Sequence, residues 1–185
     1  MKKQGFSAKQ VAKWFVERAG KDVELGGEYL TQLKLQKLLY YAKGFFYVFE
    51  NKPLFKDSIY SQKFGPVVKT VVEDLKPFAY EPIVKIFDSE EDISDPEVLK
   101  ILEFVYEKVG KFSAKTLVSF THQESPWAES KIGCQIKDEK ILDFFKKEYL
   151  NSDVNKFDIS RTEIIELTYN NILNNNIEAF RELAK

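Results

Sequence analysis

The stretch from Thr31 to Phe49 constrains this chain more than any other. Leu35, Leu38, Leu39, Ala42, Phe45, Phe46 and Phe49 recur at helical spacing, yet they cover too much of the circumference for the single apolar stripe of a surface helix. A helix that is apolar nearly all round has to be surrounded by protein. The segment therefore predicts a central helix, capped by Thr31 and broken at Asn51-Lys52-Pro53, with the rest of the chain packed about it.

The chain has the material to do this. Its 185 residues suit one domain, and 44% hydrophobic with 15% aromatic residues is ample for a packed interior. Amphipathic segments flank the central one. Ser7, with Gln10 three residues on, reads as a capping box, with Phe6 able to staple onto Val11; Ala8, Val11, Ala12, Phe15, Val16 and Ala19 follow, and Gly20 is expected to end the run. Leu54 to Gln62 reads as an extended connection or short strand, and Gly65-Pro66 as the start of a helix reaching about Leu75. Pro77 to Asp92 reads as a loop with room for a short strand at Ile83, Val84, Ile86 and Phe87. Asp95 caps and Pro96 opens a helix closed by Gly110; Ser113 caps another, followed by a loop at Thr121 to Trp127 and a short helix from about Asp138 to Tyr149. A second capping box, Ser160-Arg161-Thr162-Glu163, opens a last helix with Ile164, Ile165, Leu167, Ile172, Leu173 and Ile177, which Asn174-Asn175-Asn176 can interrupt. The expected fold is mainly α: a single compact multi-helix domain around a buried central helix, with one or two short strands. A boundary falls at Asn151 to Phe157, dividing a body, 1–150, from a helical extension, 151–185.

Charge and cysteine content narrow the function. Twenty-eight basic against 29 acidic residues, with no concentrated basic block, lack the footprint of strong nucleic-acid binding. The lone Cys134 forms no internal disulfide and points to a reducing compartment. No secretion signal opens the sequence and no window approaches ~18 uninterrupted apolar residues, so a cytoplasmic location without membrane contact is expected. A homo-oligomer stays open.

Reactive residues are few. His122 lies near Ser119 and Cys134 in sequence, but no nucleophile-elbow pattern surrounds either, so a structural or interface role outweighs that of general base. One Cys and one His make no zinc set; the acidic run Asp88, Glu90, Glu91, Asp92, Asp95 lacks the glycine turn and final glutamate of a calcium loop. Gly65-Pro66-Val67 has no phosphate-cradling glycines or Lys-Ser/Thr after it. No catalytic residue, metal or cofactor is expected. Tyr40, Tyr41 and Tyr47 carry polar tips suited to a partly wet interface, while Trp127 reads as a lid on the core or an anchor for a partner.

Residues Leu33 to Gly44, LKLQKLLYYAKG, resemble the "LKLQKLLYYAQG" signature of the Panacea domain, also called SocA-like or phage-associated GepA-like. Pro53-Leu54-Phe55 resembles its "PLF" turn, Phe64-Gly65-Pro66-Val67-Val68 its "yGPVv" element, Phe112-Ser113-Ala114 through Thr121-His122 and Pro126-Trp127 its "s..L..lTH…PW" segment, and Ile136 to Phe145 its "I.d..i..yf" piece. The resemblance spans Phe6 to Tyr149. Gln62, Lys69 and Val72 depart from the family's tryptophan, proline and tyrosine around the second of these blocks.

The resemblance implies an antitoxin that neutralises a cognate toxin, encoded beside it, by direct protein contact. One alternative is an adaptor delivering the toxin to an ATP-dependent protease; a more remote one is an enzyme using His122 or Cys134. The resemblance marks Leu35, Gln36, Lys37, Leu38, Leu39, Gly65, Pro66, Val67 and Pro126 as structural motif residues; Tyr40, Tyr41, Tyr47, Lys63, Phe64, His122 and Trp127 are the candidates for partner binding. The extension after Leu150, outside the shared blocks, is expected to help choose the toxin, so that truncation there leaves a soluble helical body that binds more weakly.

Overall fold

Thr31 caps the central helix α2 (Gln32–Glu50) as expected, its hydroxyl accepting from the Lys34 amide at 3.4 Å. Asn51 ends it in the left-handed conformation that asparagine tolerates better than most residues, φ 52. The structure, a computed structural model of the whole chain, describes residues 5–78, 81–150, 157 and 159. Every residue from Leu35 to Phe49 is buried.

Around α2 pack α1 (Ala8–Val23), α4 (Pro96–Val109), α5 (Ala114–Gln123) and α7 (Asp138–Phe145). The α1 capping box is formed in both directions: Ser7 Oγ accepts from the Gln10 amide at 3.1 Å and Gln10 Oε1 from the Ser7 amide at 2.9 Å. Gly20 does not end this helix, which runs on to Val23. A mid-helix glycine costs only ~1 kcal/mol, and the last turn is held by the Arg18–Asp22 pair at 2.5 Å and by the Tyr106 hydroxyl donating to Asp22 at 3.0 Å.

The third flank is a small sheet of order β2-β1-β3, made by the hairpin β1 (Ile59–Gln62) and β2 (Gly65–Val68) with β3 (Gln135–Ile136) antiparallel on its other side. The reading of Gly65-Pro66 as a helix start is corrected here. Gly65 takes φ +99, directly after the Lys63-Phe64 turn, where hairpins of this kind place a left-handed residue. Pro66 lies on an edge strand, which tolerates its missing N–H, and α3 (Lys69–Leu75) begins only afterwards.

The expected loop at Thr121 to Trp127 is mostly helical: α5 runs through Gln123, and α6 (Ser125–Ala128) follows a single extended residue, Glu124. Pro126 fits because it sits in the first turn, where no intrahelical donor is needed. Asp95 and Ser113 cap α4 and α5 as read, and α7 continues as a π-helical turn, Lys146–Leu150. The expected strand near Ile83 is a single bridge, its amide donating to the Leu30 carbonyl at 2.8 Å within otherwise irregular chain. The predicted helix from Ser160 lies outside the described residues.

Contacts between α2 and α7 are close because Gly44 is bare: a Cβ there would lie 2.3 Å from the Phe145 ring. Phe45 packs edge-on against Phe104 and Phe145 with ring centroids 5.4 Å apart in both pairs. Phe157 and Ile159, beyond the expected boundary at 150, are both in this core at 0% and 2% exposed.

Candidate functional site

The family-like segment Leu35 to Gly44 mixes apolar side chains with polar ones that are equally buried, and four of the polar ones, Gln36, Lys37, Tyr41 and Lys43, are hydrogen-bonded to the elements around α2. Leu35, Leu38 and Leu39 are plain core. Gln36 Oε1 accepts from the Val68 amide at 2.7 Å, and Lys37 Nζ donates to the Pro66 carbonyl at 2.9 Å, so two consecutive residues of α2 grip β2. Tyr41 donates to Glu124 Oε1 at 2.6 Å. Lys43, wholly buried, pairs with Asp138 at 2.9 Å and donates to the Asp57 carbonyl at 3.0 Å, while Tyr47 donates to the other Asp138 oxygen at 2.7 Å. Polar groups withdrawn from water must find such partners; here they fix how the hairpin, α6 and α7 sit on α2.

This placement corrects the reading of Tyr40 and Tyr41 as interface residues. Both are fully buried, and Tyr47 nearly so. Burial first, and the Glu124 carboxylate second, hold the phenols of Tyr40, Tyr41 and Tyr149 well above the usual tyrosine value. They are neutral core groups around a buried acid.

Burial lowers Lys37 to about 7, against a partial opposing pull from Glu124. The unfolded chain, with lysine near ~10.4, thus binds more protons between those values, so this residue's contribution to stability rises with pH across the window. We expect the thermal midpoint of the wild type to gain on that of Lys37→Met between pH 7 and 9. Parallel curves for the two proteins would show that Lys37 stays charged in the fold.

Above this cluster lies the hairpin end. Gly65 closes over it so tightly that a Cβ would stand 2.6 Å from Lys37 Nζ and 2.7 Å from Thr121 Oγ1. Trp127 donates from Nε1 to the Gln62 carbonyl at 2.8 Å, and its ring stacks on His122 with centroids 3.9 Å apart and planes 12° from parallel. Trp127 is thus packed against the turn from the α6 side. His122 is held below the usual imidazole value by burial first and the Lys37 charge second, with a Lys63 backbone bond opposing them. Its Nε2 is buried without a hydrogen-bond partner among the described residues. Pro126 is buried and Val67 partly so.

The turn itself faces outward. Phe64 is 57% exposed with the Lys63 ammonium 5.4 Å from its ring centroid. Ile132, 52% exposed, was not legible as a site residue. The Gly133 amide donates to the Ser61 carbonyl at 2.7 Å and the Ser61 amide to the Cys134 carbonyl at 2.9 Å, which carries Ile132 beside the turn. Only the pairing of β3 with β1 reveals this, since the two segments are far apart in sequence. Cys134 is exposed. No three His, Cys, Asp or Glu side chains gather into a metal-holding group among the described residues, and no described helix is long and apolar enough to cross a membrane.

The buried ties and the hairpin end fall within the part of the chain that known proteins share. Residues 35–128 match the family described as "Antitoxin SocA-like, Panacea domain". The curated protein "Antitoxin SocA" of Caulobacter vibrioides is 27% identical over 163 residues, covering 77% of this chain and 84% of that protein. No solved structure matches. With the family's domain spanning just over half of its length, the chain belongs to the SocA-like Panacea antitoxin family.

Proposed function

We propose that this chain neutralises a cognate toxin by direct protein–protein contact and without catalysis. The observation that carries this reading is that the polar residues of the family segment, Gln36, Lys37, Tyr41 and Lys43, are engaged inside the fold. They tie the hairpin, α6 and α7 to α2 and so build a scaffold. His122 lies flat on Trp127, an arrangement that suits packing better than proton transfer. A preformed body of this kind can occlude a toxin through a standard interface of roughly 800 Å² per partner.

Within the same reading, the extension at 151–185, apart from its buried Phe157 and Ile159, helps to choose the toxin, since specificity needs differential contacts and a segment added to a shared body can supply them. A toxin made by the adjacent reading frame is the expected partner.

Co-expression of that toxin with the wild type, His122→Ala and Cys134→Ala tests the proposal. All three are expected to protect growth equally, with the toxin recovered intact in a stable complex. Loss of protection by a folded variant that still binds the toxin would point to chemistry at that residue. A toxin that disappears, and returns when an ATP-dependent protease is deleted, would point to delivery for degradation.

A further inference from the structure

We propose that the hairpin end formed by Lys63, Phe64, Lys131 and Ile132 is the surface that receives the toxin, and that the toxin presents there an apolar pocket rimmed by carboxylates. This rests on the direct-contact reading above and specifies its partner.

Five large apolar side chains among the described residues are exposed: Leu25, Tyr29, Phe64, Val84 and Ile132. Leu25, Tyr29 and Val84 stand on irregular chain, the last two flanking a single bridge. Phe64, in the turn between β1 and β2, and Ile132, just before the residues that bond to Ser61, lie at the same end of a hydrogen-bonded sheet. That end is braced from below by Gly65 seated on Lys37 and Thr121, and from the side by Trp127 bonded to Gln62 and stacked on His122. Side chains held in place before binding lose little freedom on association, and a rigid aromatic tip is the kind of residue that dominates an interface.

Charge selects the partner. Between Asp57 and Glu73, and again between Glu129 and Asp138, the chain has no carboxylate, while Lys63, Lys69, Lys131 and Lys137 all fall in these two segments. All four are exposed. Lys63 and Lys131 belong to the turn end of the sheet, and Lys69 and Lys137 follow the residues paired with Ile59 at its other end. In a chain whose net charge is only −1, the two lysines at the turn give it a local excess of positive charge, and complementary charge on the partner steers encounter and register. A protein pocket fits better than a nucleic acid, which would call for stacking platforms along a basic groove; here the two exposed apolar groups, Phe64 and Ile132, stand on separate turns at one end of a small sheet.

The test uses the full-length chain and the purified protein encoded by the adjacent reading frame. Phe64→Ala and Ile132→Ala are each expected to raise Kd by roughly tenfold or more, with thermal midpoints close to wild type because both side chains are exposed. The double variant Lys63→Glu/Lys131→Glu should slow association by about tenfold and flatten its salt dependence. Val84→Ala and Leu25→Ala should bind within about twofold of wild type. The surface assignment is overturned by any of three results: hairpin variants that bind normally; hairpin variants that only dissociate a homodimer in sedimentation; or hairpin variants that lose affinity for a single-stranded RNA 20-mer while holding the toxin. A wild type that protects growth yet never binds the toxin defeats the direct-contact reading itself, a result distinct from these.

Discussion

Gly65→Val is expected to lower stability by about 3–5 kcal/mol, enough to shift thermal unfolding by roughly 10 °C or more in a chain of this size. Two costs combine. Gly65 takes φ +99, where a β-branched residue is strained by about 1–3 kcal/mol. Its Cβ would also stand 2.6 Å from Lys37 Nζ and 2.7 Å from the Thr121 hydroxyl, and over-packing a filled site costs a further ~1–3 kcal/mol. Loss of folding should therefore precede any loss of binding. The sequence suggests the same direction for another reason, backbone freedom ahead of a helix; the structure replaces this with a left-handed turn over the buried Lys37 side chain. Circular dichroism melting decides it, and a midpoint within about 3 °C of wild type would show that the hairpin yields without cost.

Phe157→Ala is the second large effect, at about 3–5 kcal/mol from lost burial and the cavity left behind. The Phe157 ring lies 4.9 Å from Tyr41, 5.7 Å from Phe112 and 5.6 Å from Phe120, at the junction of α2, α5 and the loop between α4 and α5. Truncation after Leu150 removes it together with Ile159, so a shortened chain should be at least as unstable as the point variant instead of remaining the well-folded body expected from the motif blocks. Urea denaturation of Phe157→Ala and of chains ending at 150 and at 159 measures this. Equal midpoints for the wild type and the chain ending at 150 would show that neighbouring aromatics close over the gap.

What could be read from the sequence was what periodicity and capping chemistry encode. The capping box at Ser7, the caps at Thr31, Asp95 and Ser113, and the central place of α2 all follow from local patterns. Errors fell where a local signal has two meanings. Gly-Pro opens helices and also follows hairpin turns, and only the pairing of Ser61 with Pro66 decides between them. Thr121 to Trp127 contains a proline that breaks a helix or begins one according to its position in the first turn. The tyrosines were misplaced for a different reason: a phenol tip suggests water, but Tyr41 finds Glu124, distant in sequence, and no local rule announces such a partner. Ile132 stayed hidden because β3 is two residues long and its neighbour β1 lies far back in the chain.

The enclosure of α2 bears on how the protein is lost as well as on how it is built. A helix with every residue from Leu35 to Phe49 buried has no outer face through which to fray; detaching α1, α4, α5, α7 or the hairpin uncovers part of it, and detaching the hairpin or α7 also leaves a buried lysine or amide without its partner. Partial opening is thus penalised nearly as heavily as complete unfolding, and the described body should come apart as one cooperative unit. Proteolysis of the body then tracks its global unfolding equilibrium instead of local breathing, so a change of ~1.4 kcal/mol in stability anywhere in it alters the cleavable population about tenfold.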